Sequence, residues 1–106
     1  MEFSVEQLKQ SGFEAACNSA FAVSVFGQST SAYTFTLTTL TPRPAPSGFE
    51  QFSLLFAGPP EPVLPQGTYR FLHPSLGELA LFMVPVGKSV KSAQYEVCIS
   101  RSTGKD

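Results

Sequence analysis

Apolar residues recur at every second position through most of this chain, which is the period of a β-strand with one buried face. Phe21, Val23 and Val25 share one face of a first strand, and Tyr33, Phe35 and Leu37 share one face of a second. Thr34, Thr36 and Thr38 fall on the opposite side of the second strand, the β-branched, polar-outside pattern of a half-solvated antiparallel sheet. Gly27 to Ser31 reads as the polar hairpin loop between them. A third strand over about Glu50 to Ala57 turns Phe52, Leu54 and Phe56 inward. A fourth, Thr68 to His73, turns Tyr69 and Phe71 inward against Arg70 and Leu72, and a last one, Gln94 to Ser100, alternates through Tyr95, Val97 and Ile99.

The fifth strand, Glu78 to Val86, departs from this pattern because it is apolar on both faces. Leu79, Leu81 and Met83 lie on one side, and Ala80, Phe82, Val84 and Val86 on the other. Leu55 is likewise out of phase with the inward set of its strand. Leu55, Phe82, Val84 and Val86 are therefore the candidate interaction surface, covered either by the N-terminal helix or by another chain.

Turn chemistry separates the strands. His73-Pro74-Ser75-Leu76-Gly77 predicts a tight hairpin in which Pro74 presets the first turn residue and Gly77 takes the positive φ. Gly58-Pro59-Pro60 and Pro65-Gln66-Gly67 read as further hairpin-closing turns. Thr41 to Gly48, with three prolines, reads as a stiff loop that is neither helix nor central strand.

The N-terminus carries helix signals instead. Ser4 and Gln7 form a capping box, Phe3 and Leu8 a hydrophobic staple, and Gly12 a left-handed stop with Phe13 folding back on Leu8. A helix over about residues 4–11 is too short to be stable alone, so its apolar face is expected to plug one end of the sheet. Arg101 to Asp106 reads as a frayed polar tail.

The expected fold is all-β: a single domain over residues 1–106, an antiparallel six-stranded meander forming a small barrel or half-open barrel with the short helix packed on it. Closure removes the exposed edges that an apolar chain must avoid. Composition agrees, since 42% of residues are hydrophobic and only 14% charged, against roughly 25% charged in soluble proteins. With a formal charge of −1 and no basic patch, nucleic-acid binding is not expected. No basic segment followed by a long apolar run predicts a signal peptide, and no run reaches the ~20 apolar residues of a membrane helix. The expected location is the cytoplasm, with Cys17 and Cys98 reduced.

Little chemistry is legible. His73 is the single histidine, and pairing it with Ser75 and Glu78 gives poor geometry for a nucleophile, so it is expected to cap its own turn. A metal site from His73, Cys17 and Cys98 lacks ligand spacing and a fourth ligand. Glu50, Glu61, Glu78 and Glu96 are scattered, and the glycines lack the loop-to-helix context of a phosphate cradle. No catalytic, cofactor-binding or metal residues are assigned, no cofactor is expected, and the aromatic interior is expected to be filled.

The blocks FSLLFAGP, LPQGTY, HPSLGELALFMVPVG and QYEV resemble a family of short bacterial proteins known only as a domain of unknown function. The matching positions are Phe52, Gly58, Pro65, Gly67, Tyr69, His73, Pro74, Gly77, Phe82, Pro85, Gly87 and Tyr95, and the resemblance spans nearly the whole chain. It implies no activity and no catalytic residues. It does imply relatives encoded near proteins similar to phage tail-fibre or collar proteins. The expected function is a non-enzymatic structural or protein-interaction module, an accessory or assembly component that binds a protein partner or forms a homo-oligomer. The alternatives are a small apolar-ligand-binding β-barrel and, third, an uncharacterised enzyme.

Overall fold

The computed structural model describes residues 10–25 and 33–102. A short helix, α1 (Gln10–Ala15), precedes six strands: β1 (Ala20–Val25), β2 (Tyr33–Arg43), β3 (Phe49–Gly58), β4 (Gly67–His73), β5 (Gly77–Lys88) and β6 (Ala93–Ser102). All pairings are antiparallel, and the sheet closes on itself in the order β1-β2-β3-β6-β5-β4. The all-β barrel with a short helix is thus as the alternation predicts.

The strand order differs from a single meander. β1-β2-β3 and β4-β5-β6 are each meanders, and the ring closes where β3 pairs with β6 and β1 with β4. Residues 59–66 therefore do not close a hairpin. They cross one end of the barrel, where Leu64 is buried and its amide donates to the Tyr95 hydroxyl at 2.8 Å. Tyr69 donates its own hydroxyl to the Pro65 carbonyl at 2.7 Å. Burial, and then the neighbouring Tyr95, push the Tyr69 phenol above its usual value, which keeps it a donor.

Local register explains two prolines that the sequence places outside central strands. β2 continues through Pro42 to Arg43, although Thr41 to Gly48 reads as a loop. Its β1 partner ends at Thr36, so Pro42 pairs with β3 alone and its missing N–H leaves no ladder bond unmade on the other side. Pro85 is placed the same way, since β4 accompanies β5 only as far as Met83. β6 likewise runs on to Ser102, so Arg101 and Ser102 belong to the sheet and not to a tail.

The inward faces are those the alternation marks. Phe21, Val23, Phe35, Leu37, Phe52, Leu54, Phe56, Tyr69, Phe71, Leu79, Leu81, Met83, Tyr95, Val97 and Ile99 are all buried. Inside the ring, Phe21 packs on Phe56 at 5.2 Å, Phe56 on Phe71 at 5.1 Å and Phe35 on Tyr95 at 4.9 Å between ring centroids. These are the offset and edge-on separations that aromatic quadrupoles favour. Gly58 is required here by packing: a Cβ on it would lie 2.7 Å from Phe35 Cε1.

α1 closes the other end. The helix runs through Gly12 to Ala15, so Gly12 is not its stop; the left-handed residue is Asn18, at φ 67°. Gly12 is small because the helix packs closely there, with a Cβ at that position reaching 3.3 Å from Leu76 Cδ2. Phe13 is fully buried against Phe52, their centroids 5.8 Å apart. The capping box at Ser4 and Gln7, the staple of Phe3 and Leu8, and the Gly27 to Ser31 loop lie outside the described residues.

A candidate interaction surface on the outer wall

Outward-facing positions of neighbouring strands meet in rows, and one row gathers the residues that the sequence marks as surplus. Across the wall, Thr39 on β2 is opposite Leu55 on β3, Leu55 is opposite Glu96 on β6, and Glu96 is opposite Val84 on β5. Leu55 and Val84 thus flank one glutamate, two strand spacings or about 10 Å apart. Phe82 is the next outward residue along β5, opposite Thr68, and Val86 follows beyond the register shift between Pro85 and Gly87. Phe82 and Val86 are 52% and 53% exposed, whereas Leu55 and Val84 are half-buried. The described helix does not cover this strip: α1 lies over the barrel end, against β2, Phe52 and Leu76.

The carboxylate inside the strip is held by Arg43, whose Nη2 lies 3.5 Å from Glu96 Oε2 and donates to Ser53 Oγ at 3.2 Å. The arginine stem lies over Ser53, which explains a buried serine on an outward position. Arg70 does the same on the far wall. It donates to Ser24 Oγ at 3.3 Å and lies 3.8 Å from Glu78. Arg101 pairs with Glu50 at 2.9 Å and Lys88 with Glu61, so the four scattered glutamates each face a cation and not one another. Sequence reading missed Glu96 and Arg43 as members of the strip. The alternation alone puts Glu96 outward, but its apolar neighbours come from β3 and β5, and only the ring closure supplies them.

His73 sits where the turn reading places it. Its Nδ1 accepts the amides of Ser75 at 3.0 Å and Leu76 at 3.3 Å, and Gly77 closes the hairpin at φ 79°. With Nδ1 committed as an acceptor, the neutral ring carries its proton on Nε2, which donates to Ser19 Oγ at 2.8 Å. Ser19 in turn donates to the Ala16 carbonyl. This polarity is the reverse of an activated serine, because the imidazole nitrogen facing Ser19 has no lone pair free to take its proton. Burial lowers the His73 pKa, consistent with a neutral ring. Neither Ser75 nor Glu78 is among the printed hydrogen-bond partners of the ring through a side chain; its serine is Ser19, from a loop 54 positions earlier in the chain.

Cys17 and Cys98 are free thiols, half-buried and exposed respectively. Among the described residues no three His, Cys, Asp or Glu side chains gather as a metal site, and no helix is long and apolar enough to cross a membrane.

Searches of curated proteins and of solved structures find no match to the chain. Residues 8–99 do match a family model, over a span that takes in every motif position from Phe52 to Tyr95. The chain belongs to the family described as Domain of unknown function (DUF6916).

Proposed function

We propose that this barrel is a non-enzymatic structural or protein-interaction module whose working surface is the strip formed by Leu55, Phe82, Val84 and Val86. The observation that carries this reading is the strip itself. A chain with little charge places two half-exposed large apolar side chains and two half-buried ones side by side on the outer wall. Exposed apolar side chains grouped around a fixed polar group are the usual composition of a protein contact. Glu96, held by Arg43, gives the strip a polar centre that a partner must match. The aromatic contacts inside the ring weigh against a ligand in the barrel, and the locked polarity of His73 with glutamates each facing a cation weighs against acid–base or nucleophilic chemistry. The motif resemblance supports an accessory or assembly role beside proteins like those of phage tails, in the cytoplasm.

The test is capture from native extract with wild-type and Val84→Asp proteins, followed by direct binding of the captured protein in purified form. A partner that binds wild type and loses at least tenfold in affinity for Val84→Asp, with the circular dichroism unchanged, supports the reading. Equal binding by both proteins places the working surface elsewhere.

A further inference from the structure

Past Glu96, β6 has a neighbour on one side only among the described residues. β3 accompanies it from Ala93 to Ser102, but β5 leaves it after Val84 and pairs with β4 from Met83 down to Gly77. Val97–Ser102 therefore presents a strand edge. β2 has a comparable edge from Thr38 to Arg43, where its β1 partner has ended.

The two edges differ in chemistry. The β2 edge carries a register shift between Leu37 and Thr39, a proline at position 42 and an arginine at 43, the devices by which proteins blunt a strand edge. The β6 edge, VCISRS, has no proline and no lysine. Its one charged side chain, Arg101, is turned onto Glu50 of the adjoining strand. Cys98 and Ser100, the outward residues, are exposed, small and uncharged. Six residues of unblunted edge are enough to form a complete strand pairing.

We propose that the Val97–Ser102 edge of β6 pairs antiparallel with the same edge of a second copy of this chain, about a two-fold axis through Ile99. In that register Ile99 faces its own counterpart, Cys98 faces Ser100 of the second copy, and Val97 faces Arg101 of the second copy. Outward residues meet outward ones, and no two like charges stand opposite each other. A two-fold contact of this kind uses the same patch twice and stops at a dimer. The other pairing, β6 against β2 of a second copy, would repeat head to tail into a filament, and Pro42 with the adjacent register shift opposes it. The dimer uses a strand edge and not the apolar strip, so the two proposals fail separately.

Light scattering on eluted fractions over a range of concentrations tests it, alongside Cys98→Lys combined with Ser100→Lys, which opposes lysines across the seam. The expected result is a wild-type mass that rises with concentration from 11.4 kDa to twice that value, and a double variant that stays at the monomer mass with the wild-type circular dichroism. In a Cys17→Ser background with the edge intact, a short bis-maleimide is expected to join Cys98 to Cys98 of the second copy, since residues diagonal across such a pairing are near neighbours. Amide exchange across Val97–Ser102 is expected to slow as the dimer forms. A chain that is monomeric at every concentration overturns the proposal. So does a dimer whose mass the two lysines leave unchanged, or slow exchange at those amides that does not depend on concentration.

Discussion

The ring of Phe35 occupies the space that a side chain on Gly58 would need. A Cβ there would stand 2.7, 2.9 and 3.0 Å from three atoms of the ring, inside any real carbon contact. Phe35 cannot withdraw, because its other sides meet Tyr95 at 4.9 Å and Phe71 at 6.3 Å between centroids. Gly58→Ala is therefore expected to destabilise the fold by about 1–3 kcal/mol, the usual cost of overpacking a core. Urea denaturation measures it. Adding Phe35→Leu to Gly58→Ala should cost less than the two single effects summed, and strict additivity would show that the ring is not the obstacle.

His73 makes stability depend on pH near neutrality. Burial holds its folded-state pKa below the ordinary 6.5, so the unfolded chain binds the proton more readily. Stability is therefore full above about pH 6.5 and falls as pH drops through that value towards the lower folded-state pKa. As the single histidine, His73 accounts for the slope in this window. Urea midpoints from pH 8 down to pH 5.5 should decline for wild type. His73→Asn, whose side-chain oxygen can accept the turn amides without titrating, should flatten that decline; an unchanged slope in the variant would assign it to other groups.

Glu50 joins three elements through one oxygen. Its Oε1 accepts from Arg101 Nε at 2.9 Å and from the Gln10 amide at 3.1 Å, tying β3, β6 and the first residue of α1 together. Both bonds are charge-assisted and partly shielded from water, so Glu50→Gln is expected to cost about 1–2 kcal/mol. Loss should appear first as faster amide exchange in α1, before any change in the strands. A variant with wild-type exchange in α1 would mean the carboxylate does not anchor the helix.

Val84→Asp and Val97→Asp separate surface from core. Val84 faces outward and is half-buried, so its replacement should lower stability by no more than about 1 kcal/mol, within the range of strand-propensity effects. Val97 is buried in the ring, and an unpaired carboxylate there should prevent folding at ordinary temperature. Thermal melts of the two variants check this directly. Similar, large losses for both would show that Val84 is part of the core.

Much of the barrel was legible residue by residue. The two-residue period assigned every inward side chain named for the six strands whose burial is described, and the turn chemistry of His73 to Gly77 was correct to the residue. These are local matters, decided by steric preference and by the parity of a pleated chain. Gly58, Pro42 and Gly12 were read as turn, loop and stop because each breaks local structure in isolation. Their actual roles depend on a ring of Phe35, on where β1 ends and on the approach of Leu76, none of which is near in sequence.

The candidate surface divides along the same line. That Leu55, Phe82, Val84 and Val86 face outward follows from the sequence alone, through parity. That Leu55 and Val84 flank one glutamate, and that Ser19 meets His73, follows only from the closure of β3 on β6 and β1 on β4. Those pairings join residues some 40 to 50 positions apart. Periodicity says which side of a strand is buried, but not which strand lies beside it; that choice is made by how the two meanders bury their shared aromatic core.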